Sequence, residues 1–146
     1  MYPMQSDKMN KRILALDVGN KRIGVAYSDP MGITTNPLPP LINDKDVFDK
    51  IKKLILEYDI GTIVIGLPLT LKGDEGKQAS LTKKFAEKLK DYISGVDIKF
   101  VDERFTTTLA EKHLRETTKK SKRKQKIDSL SAVYILKTYL DSLSIK

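Results

Sequence analysis

The chain has 146 residues and a mass of 16.5 kDa, with 40% apolar and 32% charged residues. That suits one globular domain burying roughly 70% of its unfolded surface, and excludes a wholly disordered chain. Cysteine is absent and histidine occurs once, at His113, which excludes disulfides, cysteine-bound zinc and a histidine-cluster metal site within one chain. The net charge of +8 is local: residues 112–126 hold eight basic residues and one acid, Glu116, for +7, and the remainder holds 19 basic and 18 acidic residues, for +1. Such a concentration points to a polyanion partner, nucleic acid first.

Residues 1–10 carry Asp7 and Lys8, lack an apolar centre, and read as a flexible extension ahead of a single domain over 11–146. No apolar run reaches membrane-spanning length, so the expected location is cytoplasmic, without membrane association. From Arg12 to Asp29 an apolar run ends on Asp17, turns through Gly19-Asn20 and returns as a second apolar run, the pattern of a tight hairpin. Ile33 to Ile42 contains Pro37, Pro39 and Pro40, which fits an edge strand. Val47, Ile51, Leu54 and Ile55 recur at helical spacing, with Asn43 or Asp44 as cap and Gly61 closing the connection.

Thr62 to Gly66 is a continuous apolar run, as expected of a parallel strand covered on both faces. Leu69 to Gly76 is a polar connection, and Ala79, Phe85, Ala86, Leu89 and Ile93 mark a second helix. Gly66, Gly73 and Gly76 do not form a phosphate-binding glycine loop. Asp97 to Val101 reads as a strand leading into Asp102-Glu103-Arg104, followed by a helix from Thr106 or Thr107 to about Leu114, with His113 on its solvent side. Thr117 to Lys126 reads as a mobile basic loop, and Asp128 as the start of a last helix with Leu130, Val133, Leu136, Leu140 and Leu143 on one face. The order predicts an α/β fold, a mixed five-stranded sheet flanked by helices, with its site outside the carboxyl ends of the strands.

Asp17, Glu103 and Asp128 stand where packing does not ask for acids. Each has a plain alternative: Asp128 as a capping or first-turn acid, and Asp102 or Glu103 as a surface ion pair with Arg104 or a lysine. Converging carboxylates repel unless a cation neutralises them, and Mg2+ or Mn2+ takes oxygen ligands while leaving places for water and phosphate. Two such ions can activate water and stabilise the leaving oxygen in phosphodiester cleavage.

Four segments together resemble the YqgF, or RuvX, family of Holliday junction resolvases and ribosomal RNA processing nucleases. They are Asp17-Val-Gly-x-Lys-Arg-Ile-Gly-Val-Ala-x-Ser-Asp29, Gly66-Leu-Pro-x-x-x-x-Gly73, Asp102-Glu-Arg-x-Thr-Thr107, and Asp128-x-x-Ser-Ala-x-x-Ile-Leu136, with Ser131 where alanine is usual. The resemblance implies an RNase H-like fold and an acidic set of Asp17, Glu103 and Asp128 holding two Mg2+ or Mn2+ ions. Strand alternation lets only one of Asp102 and Glu103 face the site, and the family pattern selects Glu103. The expected activity is endonucleolytic hydrolysis of structured nucleic acid, either the 5′ end of pre-16S rRNA or, alternatively, a branched DNA junction. Lys21, Arg22, Arg104, Lys119, Lys120, Lys122, Arg123, Lys124 and Lys126 would grip phosphate, and the protein would act as a monomer or homodimer. The competing readings are a non-catalytic RNA-binding module and, at greater distance, an ATP-binding domain of the actin and sugar-kinase type, whose first hairpin also carries an Asp-x-Gly turn.

Overall fold

The computed structural model describes residues 11–70, 72–103 and 120–144, the side chains of 120–129 and of Ser144 excepted. The elements run β1 (Arg12–Val18), β2 (Arg22–Ser28), β3 (Thr35–Ile42), α1 (Val47–Tyr58), β4 (Ile60–Leu67), α2 (Lys77–Tyr92), β5 (Asp97–Asp102) and α3 (Lys120–Ser144). All five strands share one sheet in the order β3-β2-β1-β4-β5. β2 is antiparallel to β1 and β3, whereas β4 is parallel to β1 and β5. The mixed sheet expected from the sequence is therefore present, with the proline-bearing β3 at an edge, where missing backbone donors face no further strand.

Alternation along the strands divides the core in two. On one side Leu14, Leu16, Ile23, Val25, Ile63 and Ile65 pack with Val47 and Ile51 of α1 and with Ala86 and Leu89 of α2. On the other side Ala15, Ala26, Val64 and Val101 pack under Ala132, Ile135 and Leu136 of α3. The small side chains of Ala15 and Ala26 let this long helix approach the sheet closely. β4 contributes to both layers, which explains its unbroken apolar sequence. No described helix is long and apolar enough to cross a membrane.

Several local expectations are corrected. Gly19 N–H donates to the Arg22 carbonyl at 3.0 Å, which centres the hairpin turn on Asn20-Lys21, one residue later than the sequence suggests. A Cβ on Gly19 would lie 2.6 Å from that carbonyl oxygen, so the glycine is required by close backbone approach. α1 is preceded by Asp46, with neither Asn43 nor Asp44 at the cap position. The Asn43 amide is committed elsewhere, donating to the Gly19 carbonyl at 2.8 Å, and the Asp44 carboxylate accepts from Asp46 N–H. After α1 the chain reverses at Asp59, in the left-handed region with φ 56°, and Gly61 lies inside β4.

The largest correction concerns the basic segment. α3 begins at Lys120, so the stretch up to Lys126 is helical and Asp128 lies in the third turn, which removes the capping explanation for that acid. Lys, Arg and Gln are good helix formers, and neither glycine nor proline interrupts residues 120–144. The helix expected over 106–114, with His113, lies outside the described residues.

Candidate functional site

The carboxyl ends of β1, β4 and β5 are adjacent because β4 lies between the other two. In register Asp17 pairs with Gly24 of β2, and the pairing of Leu16 with Ile65 makes Gly66 of β4 the next neighbour on the other side. Asp17 has the parity of Ile13 and Ala15, and so belongs to the face covered by α3. It is half-buried and stands between two glycines, Gly24 and Gly66, which carry no side chains of their own.

Glu103 follows β5 directly and is anchored by its N–H, which donates to the Leu67 carbonyl at 3.2 Å. It is only 8% exposed, whereas Asp102 is exposed, so the two acids do point apart and Glu103 is the inward one. Its carboxylate reaches back over β4: a Cβ built on Gly66 would lie 2.9 Å from Glu103 Oε2 and 2.5 Å from Ile135 Cδ1. Gly66 is thus the floor of a recess whose walls are Glu103 and α3, and any side chain there would fill the space the carboxylate occupies. Strands two apart in a sheet are separated by roughly 9–10 Å. Asp17 on β1 and Glu103 just after β5 therefore lie on either side of β4 at this end of the sheet, with the Glu103 carboxylate reaching inward.

α3 runs from this end toward the amino ends of β1 and β4. Ile135 touches the Gly66 recess, while Tyr139, Leu140 and Leu143 line a cleft of about 380 Å³ with Ile13, Thr62 and the 29–32 turn. Asp128, two turns before Ile135, is therefore at the carboxyl end of the sheet by its backbone position. Among the described residues no three acidic or histidine side chains come together to hold a metal.

Of the residues expected to bind nucleic acid, Lys21 is exposed in the hairpin turn and Arg22 is half-buried at the start of β2, both at this same end. Lys120, Lys122, Arg123, Lys124 and Lys126 lie on the first two turns of α3. Arg104 and Lys119 lie outside the described residues. Asn43 was not expected here: its side chain and its N–H bond to the carbonyls of Gly19 and Lys21, at 2.8 and 2.9 Å, which ties the Asp17 hairpin to the end of β3. An asparagine after a proline-rich strand carries no signal that would distinguish this role from a turn.

The last two residues of the opening motif have structural work. Ser28 is buried and its hydroxyl accepts from Ile13 N–H at 3.0 Å. The Asp29 carboxylate accepts from the N–H groups of Met31, Ile33 and Thr34 and from the Thr34 hydroxyl. These bonds, that from Thr34 N–H foremost, hold its carboxyl below the ordinary 3.8.

A protein from Sulfurihydrogenibium sp. (strain YO3AOP1), named "Putative pre-16S rRNA nuclease", is 63% identical over 134 residues, covering 91% of this chain and 92% of its own length. A Clostridium botulinum protein of the same name is 40% identical over 136 residues, covering 91% of this chain and 98% of its own. Among solved structures, RuvC of T. thermophilus in complex with a Holliday junction substrate superposes with a TM-score of 0.56 at 7% identity, covering 92% of this chain and 96% of that one. This last likeness concerns the fold alone, which is that of RNase H-like resolvases. The sequence model of the RuvX family, described as Holliday junction resolvase, matches residues 11–142, and with relatives of this identity over nine-tenths of the sequence the chain belongs to that family.

Proposed function

We propose that the protein is a nuclease that hydrolyses phosphodiester bonds in structured RNA at the carboxyl end of its sheet, processing the 5′ end of pre-16S rRNA. The observation that carries the reading is the Glu103 carboxylate, kept buried over Gly66 on the same sheet face as Asp17. A carboxylate held at this end of the sheet is an oxygen ligand of the kind divalent cations take. The names of the relatives direct the substrate toward ribosomal RNA.

The donor set fits Mg2+ or Mn2+: the carboxylates are hard oxygen ligands, and Gly66 leaves room over β4 for the Glu103 carboxylate. Asp17, Glu103 and Asp128 would hold the ions, which supply an activated water and charge stabilisation at the leaving oxygen when bound. In this reading Glu103, fixed by its N–H bond to β4, is the rigid member of the set. Lys21 and Arg22 approach from the hairpin, and Arg104, Lys119, Lys120, Lys122, Arg123, Lys124 and Lys126 hold phosphates and set the strand against the acids. Residues 11–146 act as one catalytic domain.

Cleavage assays with a pre-16S 5′ fragment and with a four-way DNA junction, with Mg2+ or Mn2+, test this. The expected result is metal-dependent cleavage of the RNA that falls to background in Asp17→Asn. Cleavage of neither substrate, or undiminished cleavage by the variant, overturns the assignment. Cleavage of the junction alone transfers it to DNA resolution, the activity in the family's description.

A further inference from the structure

Among the described residues three buried side-chain atoms capable of hydrogen bonding have no partner: Arg12 Nε, Thr82 Oγ1 and Ser131 Oγ. Arg12 is at the amino end of β1, and Thr82 is on α2, on the other side of the sheet. Ser131 alone belongs to the helix that walls the Gly66 recess, and it is fully buried. It lies one turn before Ile135, whose Cδ1 shares the space over Gly66 with the Glu103 carboxylate. Positions 131 and 135 fall on one helical stripe. Because α3 runs away from the carboxyl ends, Ser131 is on the site side of Ile135. Side chains on a helix also lean toward its N-terminus, which here is the direction of the acids.

A buried hydroxyl without an acceptor is unfavourable, and Ser131 keeps such a hydroxyl at a fully buried position. A carboxylate has several lone pairs, so it can accept from a hydroxyl while it also engages an ion or another donor. We propose that Ser131 is a positioning residue of the metal site. When a divalent ion engages Glu103, the Ser131 hydroxyl donates to that carboxylate and holds it in its ligating orientation. The proposal rests on the metal-dependent reading above and adds to it a residue that touches neither substrate nor ion. Outer hydrogen bonds of this kind change metal affinity by about 10-fold or more when removed.

The test is Mn2+ binding, followed by calorimetry and by the electron paramagnetic resonance signal of free Mn2+, in the full chain and in its Ser131→Ala and Glu103→Gln variants. Thermal unfolding without metal is measured in parallel. Ser131→Ala removes only the unpartnered hydroxyl, so the variant is expected to fold with a metal-free Tm equal to or above that of the parent. Its Mn2+ affinity is expected to fall about 10-fold, with Glu103→Gln losing more. A lowered metal-free Tm with unchanged Mn2+ affinity assigns Ser131 to packing and overturns the proposal alone. Failure of the parent chain to bind Mn2+ overturns the proposal together with the metal-dependent reading.

Discussion

Gly66 and Gly19 are both required by close approach, but the atoms they make room for differ in kind. A Cβ on Gly66 meets the ends of two flexible side chains, Ile135 Cδ1 and Glu103 Oε2, whereas one on Gly19 meets the backbone oxygen of Arg22. Side-chain ends can give way where a backbone oxygen cannot, so Gly66→Ala is expected to cost about 1–3 kcal/mol of stability, while Gly19→Ala costs more because the hairpin itself must open. Gly66→Ala nevertheless displaces the Glu103 carboxylate, so its effect on cleavage should far exceed its effect on stability. Urea midpoints and cleavage rates of the two variants check the split; a Gly66→Ala protein of full activity would show that the recess is not used. Asp29 gives a pH test. Its carboxyl is held below 3.8, first by the N–H of Thr34, so its contribution is complete above 3.8 and is lost as pH falls through the lowered folded value. The stability difference between parent and Asp29→Asn is therefore expected at neutral pH and should vanish in acid, as read by unfolding at a series of pH values. In sequence Asp17 and Asp29 look alike, each an acid closing an apolar strand. The structure separates them by place: Asp29 caps its own turn, while Asp17 lies between Gly24 and Gly66 on the face covered by α3.

At the scale of elements, the parts that were legible are those whose burial imposes a period. β4 announced itself by a run with no polar alternation, and it is the strand shared by both core layers. β3 announced itself as an edge by its prolines. The start of α3 was not legible, because a solvated helix and a solvated loop have the same absence of apolar period. Asp128, followed by an apolar stripe, also imitates a helix start. Propensity was the signal that discriminated, since Lys122 to Lys126 are all good helix formers. The N-terminal turns of α3 yield a direct check. Gln125→Pro removes a backbone donor and clashes with the preceding turn, so it is expected to reduce far-UV helicity by about the first turn and a half, with a loss of up to about 3 kcal/mol. Unchanged helicity would mean that the basic stretch is not helical in solution. For the candidate site, the sequence supplied the acids and their order, and parity within the strand left Asp102 and Glu103 undecided. The N–H bond of Glu103 to Leu67 and its burial over Gly66 are tertiary facts that no local pattern contains.

For the molecule as a whole, the charge excess is concentrated in residues 112–126, five of whose eight basic residues lie on the first turns of α3. Outside residues 112–126 the chain has a net charge of +1, too little to draw a polyanion. The five basic residues from Lys120 to Lys126 are at the start of α3, at the end of the sheet where Asp17 and Glu103 lie on either side of β4. Phosphate contacts release counterions, so the logarithm of affinity falls with the logarithm of salt by about 0.9 per phosphate on duplex DNA and about 0.7 on a single strand. Replacing Lys122, Arg123, Lys124 and Lys126 together by glutamine is therefore expected to reduce that slope by up to about 3.6 on duplex DNA and about 2.8 on single-stranded RNA. Because such contacts fix position without reading sequence, affinity should fall alike for unrelated sequences, while the bond that is cut stays the same. Binding titrations across a salt series, paired with mapping of the cleaved ends, measure both. An unchanged slope would move the phosphate grip to Lys21, Arg22 and the hairpin turn. A shifted cleavage position would instead make the α3 terminus part of how the scissile bond is chosen, since a helix that only attracts the backbone has no means of moving the cut.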